Sequence, residues 1–158
     1  MTKLKIISGG QTGADRAALD WAIEHRFAHG GWCPLGRKAE DGIIAAKYQL
    51  TETDSVNYRA RTVRNVLESD ATLIANNGEL DGGSLETLRI AERHGKPVRV
   101  VQLDHAPTDR DIEQIHDWLR QSPIVILNIA GPRESKRPGI YCATRDLLDR
   151  THARGTRS

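Results

Sequence analysis

Cysteine, phenylalanine and methionine are almost absent from this 158-residue sequence, which has two, one and one of them, and aromatic residues make up only 4%. Cys33 and Cys142 cannot form a disulfide framework and lack the spacing of a metal site, so both read as structural thiols. The six histidines are scattered along the chain, and no protein-ligated metal is expected. No charge of one sign dominates: 28% of residues are charged, yet the net charge is +2. That excludes a polycation or an acidic solvating tail, and nucleic-acid binding driven by phosphate neutralisation is not expected. No apolar run approaches the ~20 residues of a membrane span, and the N-terminus shows no signal-peptide pattern. A soluble, cytoplasmic protein with neither membrane nor nucleic-acid partners is the expectation.

What the sequence does have is glycine, fourteen of them, placed between apolar runs that alternate with helical patterns. Such alternation points to βαβ units, hence to an α/β fold: a Rossmann-like three-layer sandwich around a mainly parallel sheet of five or six strands. Strands are expected at 4–8, 32–34, 71–75, 98–101 and 124–128. The first helix carries Ala14, Ala18, Trp21 and Ala22 on one face. A second, over 58–68, has Ala60, Val63 and Leu67 as its buried stripe. Ser84 reads as the N-cap of a third helix, which Gly95 and Pro97 end. Thr108 and Asp111 form a capping box for a fourth helix bearing Ile112, Ile115 and Leu119. Residues 35–57 read as a loop, the last helix runs to about Asp149, and 151–158 reads as a flexible basic tail behind a single domain, 1–150.

Three glycine turns each follow a strand and open onto a helix. The first is Gly9-Gly10-Gln11-Thr12-Gly13, the second Gly82-Gly83-Ser84, and the third Gly131-Pro132-Arg133-Glu134-Ser135. Glycine lets the backbone approach a ligand closely, and a helix N-terminus adds unpaired N–H groups and about half a positive charge. Each turn is therefore a candidate anion site. None matches the Walker or the dinucleotide fingerprint. With a strand order of 2-1-3-4-5, the first two turns would line one crevice at the topological switch point. The third turn would lie apart. It would then serve a second anion or face a neighbouring subunit, unless the strand order differs. A valine at Gly10 is expected to block binding and leave the fold intact.

The stretches "SGGQTGADRAALDWAI", "GGWCPLGRKAEDG", "YRARTVRNVLESDATLI", "GGSLET", "GKP" and "LNIAGPRESKRPGIY" resemble, in this order, the molybdenum cofactor carrier proteins. That family is similar to the lysine-decarboxylase-like (LOG-type) Rossmann group, and the resemblance runs from about residue 4 to residue 148. It implies a homo-oligomer, a dimer or tetramer, that binds molybdenum cofactor as cargo and stores or protects it without transforming it. The anionic small-molecule ligand would be a phosphorylated pterin holding its own metal through a dithiolene.

The enzymatic alternative is a LOG-type nucleotide 5′-monophosphate phosphoribohydrolase, whose pattern P-G-G-x-G-T-x-x-E corresponds here to Asp81-Gly82-Gly83-Ser84-Leu85-Glu86-Thr87. The two central glycines match. The proline, the later glycine and the glutamate position do not, and Glu86 comes two residues early. A nucleotide-sensing module is a third reading. Among charged residues, Asp15 either complements the dipole of its helix or reads the N–H edge of a pterin, with Glu40, Asp41 and Glu134 as alternatives for that task. Arg133 and Ser135, with Arg37 from the irregular loop, would add charge-assisted hydrogen bonds to a phosphate or oxo group. Arg16, Arg61 and Arg64 read as surface or interface residues, Trp21 as core, and Trp32 as the candidate for stacking on a ring.

Overall fold

Short apolar runs flanked by glycine build the central sheet of this computed structural model, which describes residues 4–121 and 123–156. In chain order the elements are β1 (Lys5–Ile7), α1 (Ala14–Glu24), β2 (Ala28–Gly30), β3 (Trp32–Cys33), β4 (Lys38–Ala39), β5 (Gly42–Ile43) and β6 (Thr51–Glu52). There follow α2 (Tyr58–Glu68), β7 (Ala71–Asn76), α3 (Gly82–Arg93), β8 (Val98–Gln102), α4 (Asp109–Gln121), β9 (Ile126–Ala130) and α5 (Ile140–Thr156). Five strands form one parallel sheet in the order β2-β1-β9-β7-β8. Helices α1, α4 and α5 pack on one face, around Ile6, Leu73, Leu127, Ile129, Ile140 and Leu147. Helices α2 and α3 meet on the other, through Val66, Ile90 and Ala91. The expected three-layer Rossmann-like α/β sandwich is the fold observed.

The strand order is not the expected one. The last strand lies in the middle of the sheet, between β1 and β7, instead of at its edge. Counting β9 as the first strand turns the order into 3-2-1-4-5, that of a Rossmann half. Polar side chains fix this position. Asp70 accepts hydrogen bonds from the N–H groups of Val125 and Ile126, both at 2.8 Å, and so ties the start of β9 to β7. In the sheet Asn128 stands in register with Thr72 and donates to its hydroxyl at 3.2 Å, both being buried. Buried polar groups need partners, so this pair favours one neighbour for β9 over any apolar alternative.

Several local expectations are also corrected. The edge strand of the sheet is Ala28–Gly30, not 32–34. Gly31, at φ +123°, lets the chain turn away, and Trp32–Cys33 pairs instead with Thr51–Glu52. The irregular loop carries a tight hairpin, Lys38–Ala39 against Gly42–Ile43, and closes a small core of Leu19, Cys33, Ala39, Ile44 and Tyr48. In α2 the fully covered residues are Asn65 and Val66, while Leu67 is exposed. Asp81, not Ser84, occupies the N-cap of α3. The last helix continues past Asp149 to Thr156, with Thr151 buried and bonded to the carbonyl of Leu147. Arg157 and Ser158, the end of the expected tail, lie outside the described residues. The capping box holds: the Thr108 N–H donates to Asp111 Oδ2 at 2.9 Å, and the Asp111 N–H to Thr108 Oγ1 at 3.1 Å.

Candidate functional site

Because β9 sits between β1 and β7, the turns after these strands are neighbours at the C-terminal edge of the sheet. That edge is where open α/β sheets bind ligands. Gly13 (φ +80°) belongs to the contact between the first and third turns. A side chain there would place its Cβ 2.4 Å from the carbonyl oxygen of Pro132, and the Ala14 N–H donates to that oxygen at 3.3 Å. Gly131 is as tightly held, an added Cβ standing 2.3 Å from the carbonyl oxygen of Ala75 at the end of β7. These two glycines serve backbone packing.

The turns surround a cleft of about 210 Å³. Its floor is formed by Gly9 and Gln11 from the β1–α1 turn with Asp15 from the start of α1, Gly83 and Ser84 from α3, and Asn128 and Ala130 from β9 with Gly131 just after it. Helix α2 supplies one wall with Tyr58, Arg59, Arg61, Thr62 and Asn65, and Arg133 and Lys136 come from the third turn. Four cationic side chains thus line the cleft against two carboxylates, Asp15 and Glu86. Neither α1 nor α3 has a side-chain cap at its N-terminus. Asp81 turns its carboxylate to Lys136 Nζ at 2.6 Å and Arg137 at 3.5 Å, and these cations hold it below the usual carboxylate range. Gly83 and Ser84, in the first turn of α3, line the cleft, and N–H groups of a helix's first turn have no partner within the helix. An added Cβ at Gly83 meets nothing within 4 Å, so the approach to them is open.

Asp15 lies at the cleft floor with 5% of its surface exposed. Its carboxylate accepts the Gln11 N–H at 3.4 Å and stands 3.6 Å from Arg61 Nη1. Burial raises its pKa, and Arg61 with the Gln11 and Gly9 amides only partly restores the charge, leaving the group at about 6. Arg61, missed by the sequence reading, is largely covered, its side chain 11% exposed, and it donates to the carbonyl of Gly9 at 2.7 Å. Its helical position gave no sign of this, because the site forms only when α2 packs against the β1–α1 turn. Arg59 and Glu86 face each other across the rim at 2.5 Å.

Other expected site residues have structural work. Gln11 lines the cleft, but its side-chain oxygen accepts the N–H groups of Thr12 at 3.0 Å and Glu40 at 2.8 Å. Arg37 lies away from the cleft and donates to the carbonyls of Ile44, Ala45, Tyr48 and Leu50 at 2.8–3.3 Å, knitting the irregular loop together. The Glu134 carboxylate accepts from the N–H groups of Gly139 at 2.7 Å and Tyr141 at 3.0 Å, so it closes the start of α5. Thr12, Arg133 and Ser135 converge on Glu40. Asp41 and the Gly10 carbonyl are held by Arg16, which is therefore no solvated surface residue. Gly10 (φ +78°) lies behind the cleft. An added Cβ would stand 2.5 Å from Leu50 and 3.0 Å from Ile44, so a valine there disturbs the loop's packing, contrary to expectation. Gly82 sits beside Lys136 at the rim. Trp21 is core, as expected, and Trp32 is covered by Arg64, 4.0 Å above its ring, rather than open to the cleft. His25 and His29, four residues apart, share no helix face, because α1 ends at Glu24 and His29 lies in β2.

Residues 6–152 match the circularly permutated YpsA SLOG family (cpYpsA). The permutation in that description agrees with a sheet whose last strand occupies the place of a Rossmann first strand. A comparison with curated proteins gives no match. Among solved structures, the "Putative molybdenum carrier protein" from Syntrophus aciditrophicus SB is 49% identical, covers 95% of each chain and superposes with a TM-score of 0.91. On fold, cleft and sequence together, the chain belongs to the circularly permutated YpsA SLOG family.

Proposed function

We propose that the cleft binds a phosphorylated heterocyclic anion and that this ligand is molybdenum cofactor, carried or stored without being transformed. The observation that carries the reading is the convergence of the uncapped α3 N-terminus with Arg59, Arg61, Arg133 and Lys136 on one open cleft. Free N–H groups and guanidinium forks suit a phosphate or oxo group. Asp15 at the floor suits the amino-imino edge of a pterin, and Tyr58, with the Arg61 guanidinium 5.2 Å over its ring, lines the same cleft. The name of the Syntrophus neighbour supplies the molybdenum. The metal is cargo, held by the cofactor's own dithiolene. We further propose a cytoplasmic homo-oligomer, whose contacts would cover apolar side chains such as Ile43 and Val56, 82% and 69% exposed.

The test is retention of the cofactor through gel filtration by the wild type and by Gly83→Val, whose side chain enters the open cleft. Retention by the wild type and loss in a folded variant support the reading; equal retention by both contradicts the cleft assignment. A second reading, nucleotide hydrolysis, is favoured by the Arg59–Glu86 pair at the rim, the two residue types that the phosphoribohydrolase group uses. Release of adenine from adenosine monophosphate, abolished by Glu86→Gln, would establish it.

A further inference from the structure

The third glycine turn holds an anion already, and that anion belongs to the chain. Glu40, in the turn of the β4–β5 hairpin, extends its carboxylate into a ring of donors. Ser135 donates to it twice, through its hydroxyl at 2.5 Å and its N–H at 3.2 Å. The Thr12 hydroxyl bonds to the same carboxylate, and Arg133 Nε stands 3.4 Å from it. One main-chain N–H, two hydroxyls and a guanidinium thus converge on one pair of oxygens. Partial burial works against the charge of Glu40, yet these bonds outweigh it and hold the carboxyl below its usual range.

We propose that this ring is a second oxyanion site, specific for a tetrahedral anion such as phosphate or molybdate, and that Glu40 occupies it as a displaceable internal ligand. A tetrahedral oxyanion, like a carboxylate, presents two acceptor oxygens side by side, so the same donors can serve either. The site follows β9, the central strand, whose following turn is where Rossmann halves place a phosphate. It opens onto the cleft through Arg133, which belongs to both. Displacing Glu40 does not detach the hairpin, because the neighbouring Asp41 keeps its two-pronged pair with Arg16 at 2.9 and 3.1 Å. Glu40 therefore competes with incoming anions, and the hairpin tip moves when one wins. The proposal goes beyond the carrier reading and stands whatever ligand fills the cleft.

The experiment is a titration with inorganic phosphate, and separately with molybdate, of the wild type, Glu40→Gln, Glu40→Ala and Glu40→Ala/Arg133→Ala. Circular dichroism and thermal melting report that each is folded. Removing the competing carboxylate is expected to raise affinity for the anion at least tenfold in both single variants, and the double variant should lose that gain. Glu40→Gln, close to isosteric, keeps the test valid should Glu40→Ala fail to fold. Unchanged phosphate and molybdate affinity in folded Glu40→Gln would overturn the proposal, as would a gain that survives loss of Arg133. Cofactor retention by the wild type, measured separately, keeps failure here distinct from failure of the carrier reading.

Discussion

Asp15→Asn tests whether the cleft floor holds a destabilised charge. In the folded protein Asp15 titrates at about 6, against an ordinary 3.8. A tenfold change in proton affinity corresponds to about 1.4 kcal/mol, so the ionised, buried carboxylate costs roughly 3 kcal/mol of stability at neutral pH. The sign follows from proton counting. As pH falls from 7 towards 4, the folded protein protonates Asp15 before the unfolded chain does. Its stability therefore gains from this group, fully below 3.8, and loses that gain as pH rises through about 6. Asparagine has no such titration. The stability of the variant minus that of the wild type should be about 2.4 kcal/mol greater at pH 7 than at pH 4, with most of the change between pH 4 and 6. A pH-independent offset, from replacing the carboxyl by an amide in the same hydrogen bonds, moves the whole difference curve without changing its shape, and the attraction of Arg61 is already contained in the titration at about 6. Denaturant unfolding of both proteins at half-unit pH steps measures it, and subtraction cancels the carboxylates that the substitution leaves alone. A difference flat with pH, or one falling as pH rises, would refute the reasoning. A carboxylate kept buried at such a cost is what a site reserved for ligand N–H groups would show.

Arg37→Ala removes four donor contacts to loop carbonyls and should cost about 2–4 kcal/mol, with limited proteolysis appearing between residues 38 and 57. Gly131→Ala forces a Cβ to within 2.3 Å of backbone oxygen and should cost at least about 2 kcal/mol in chemical denaturation, with no direct effect on the open side of the cleft. An added Cβ at Gly83 meets nothing within 4 Å, so Gly83→Val should change stability by less than about 1 kcal/mol while it obstructs ligand, which calorimetric titration separates from unfolding.

The fold class was legible because its signals are local. Ala14, Ala18, Trp21 and Ala22 recur at helical spacing and are all buried in α1, and the Thr108–Asp111 box needs only four residues. The strand order was not legible. What places β9 beside β7 is a buried Asn128–Thr72 pair and the Asp70 carboxylate, contacts across more than fifty residues that no periodicity reveals. The site shows the same division. All three glycine turns could be found from their position between strand and helix. Their distribution between ligand access at Gly83 and packing at Gly13 and Gly131 depends on what lies opposite each one. Arg61 was hidden because its partner Asp15 lies 46 positions earlier, and Arg37 read as a ligand contact because its carbonyl partners carry no sequence signature.

The central claim is that the cleft takes up molybdenum cofactor and returns it unchanged. It is tested most directly by titrating the protein with the cofactor and with adenosine monophosphate side by side, then recovering and identifying each ligand. The account predicts tight, saturable binding of the cofactor, its recovery intact, and no adenine released from the nucleotide. Free adenine, or a cofactor that fails to bind while the nucleotide does, would contradict it.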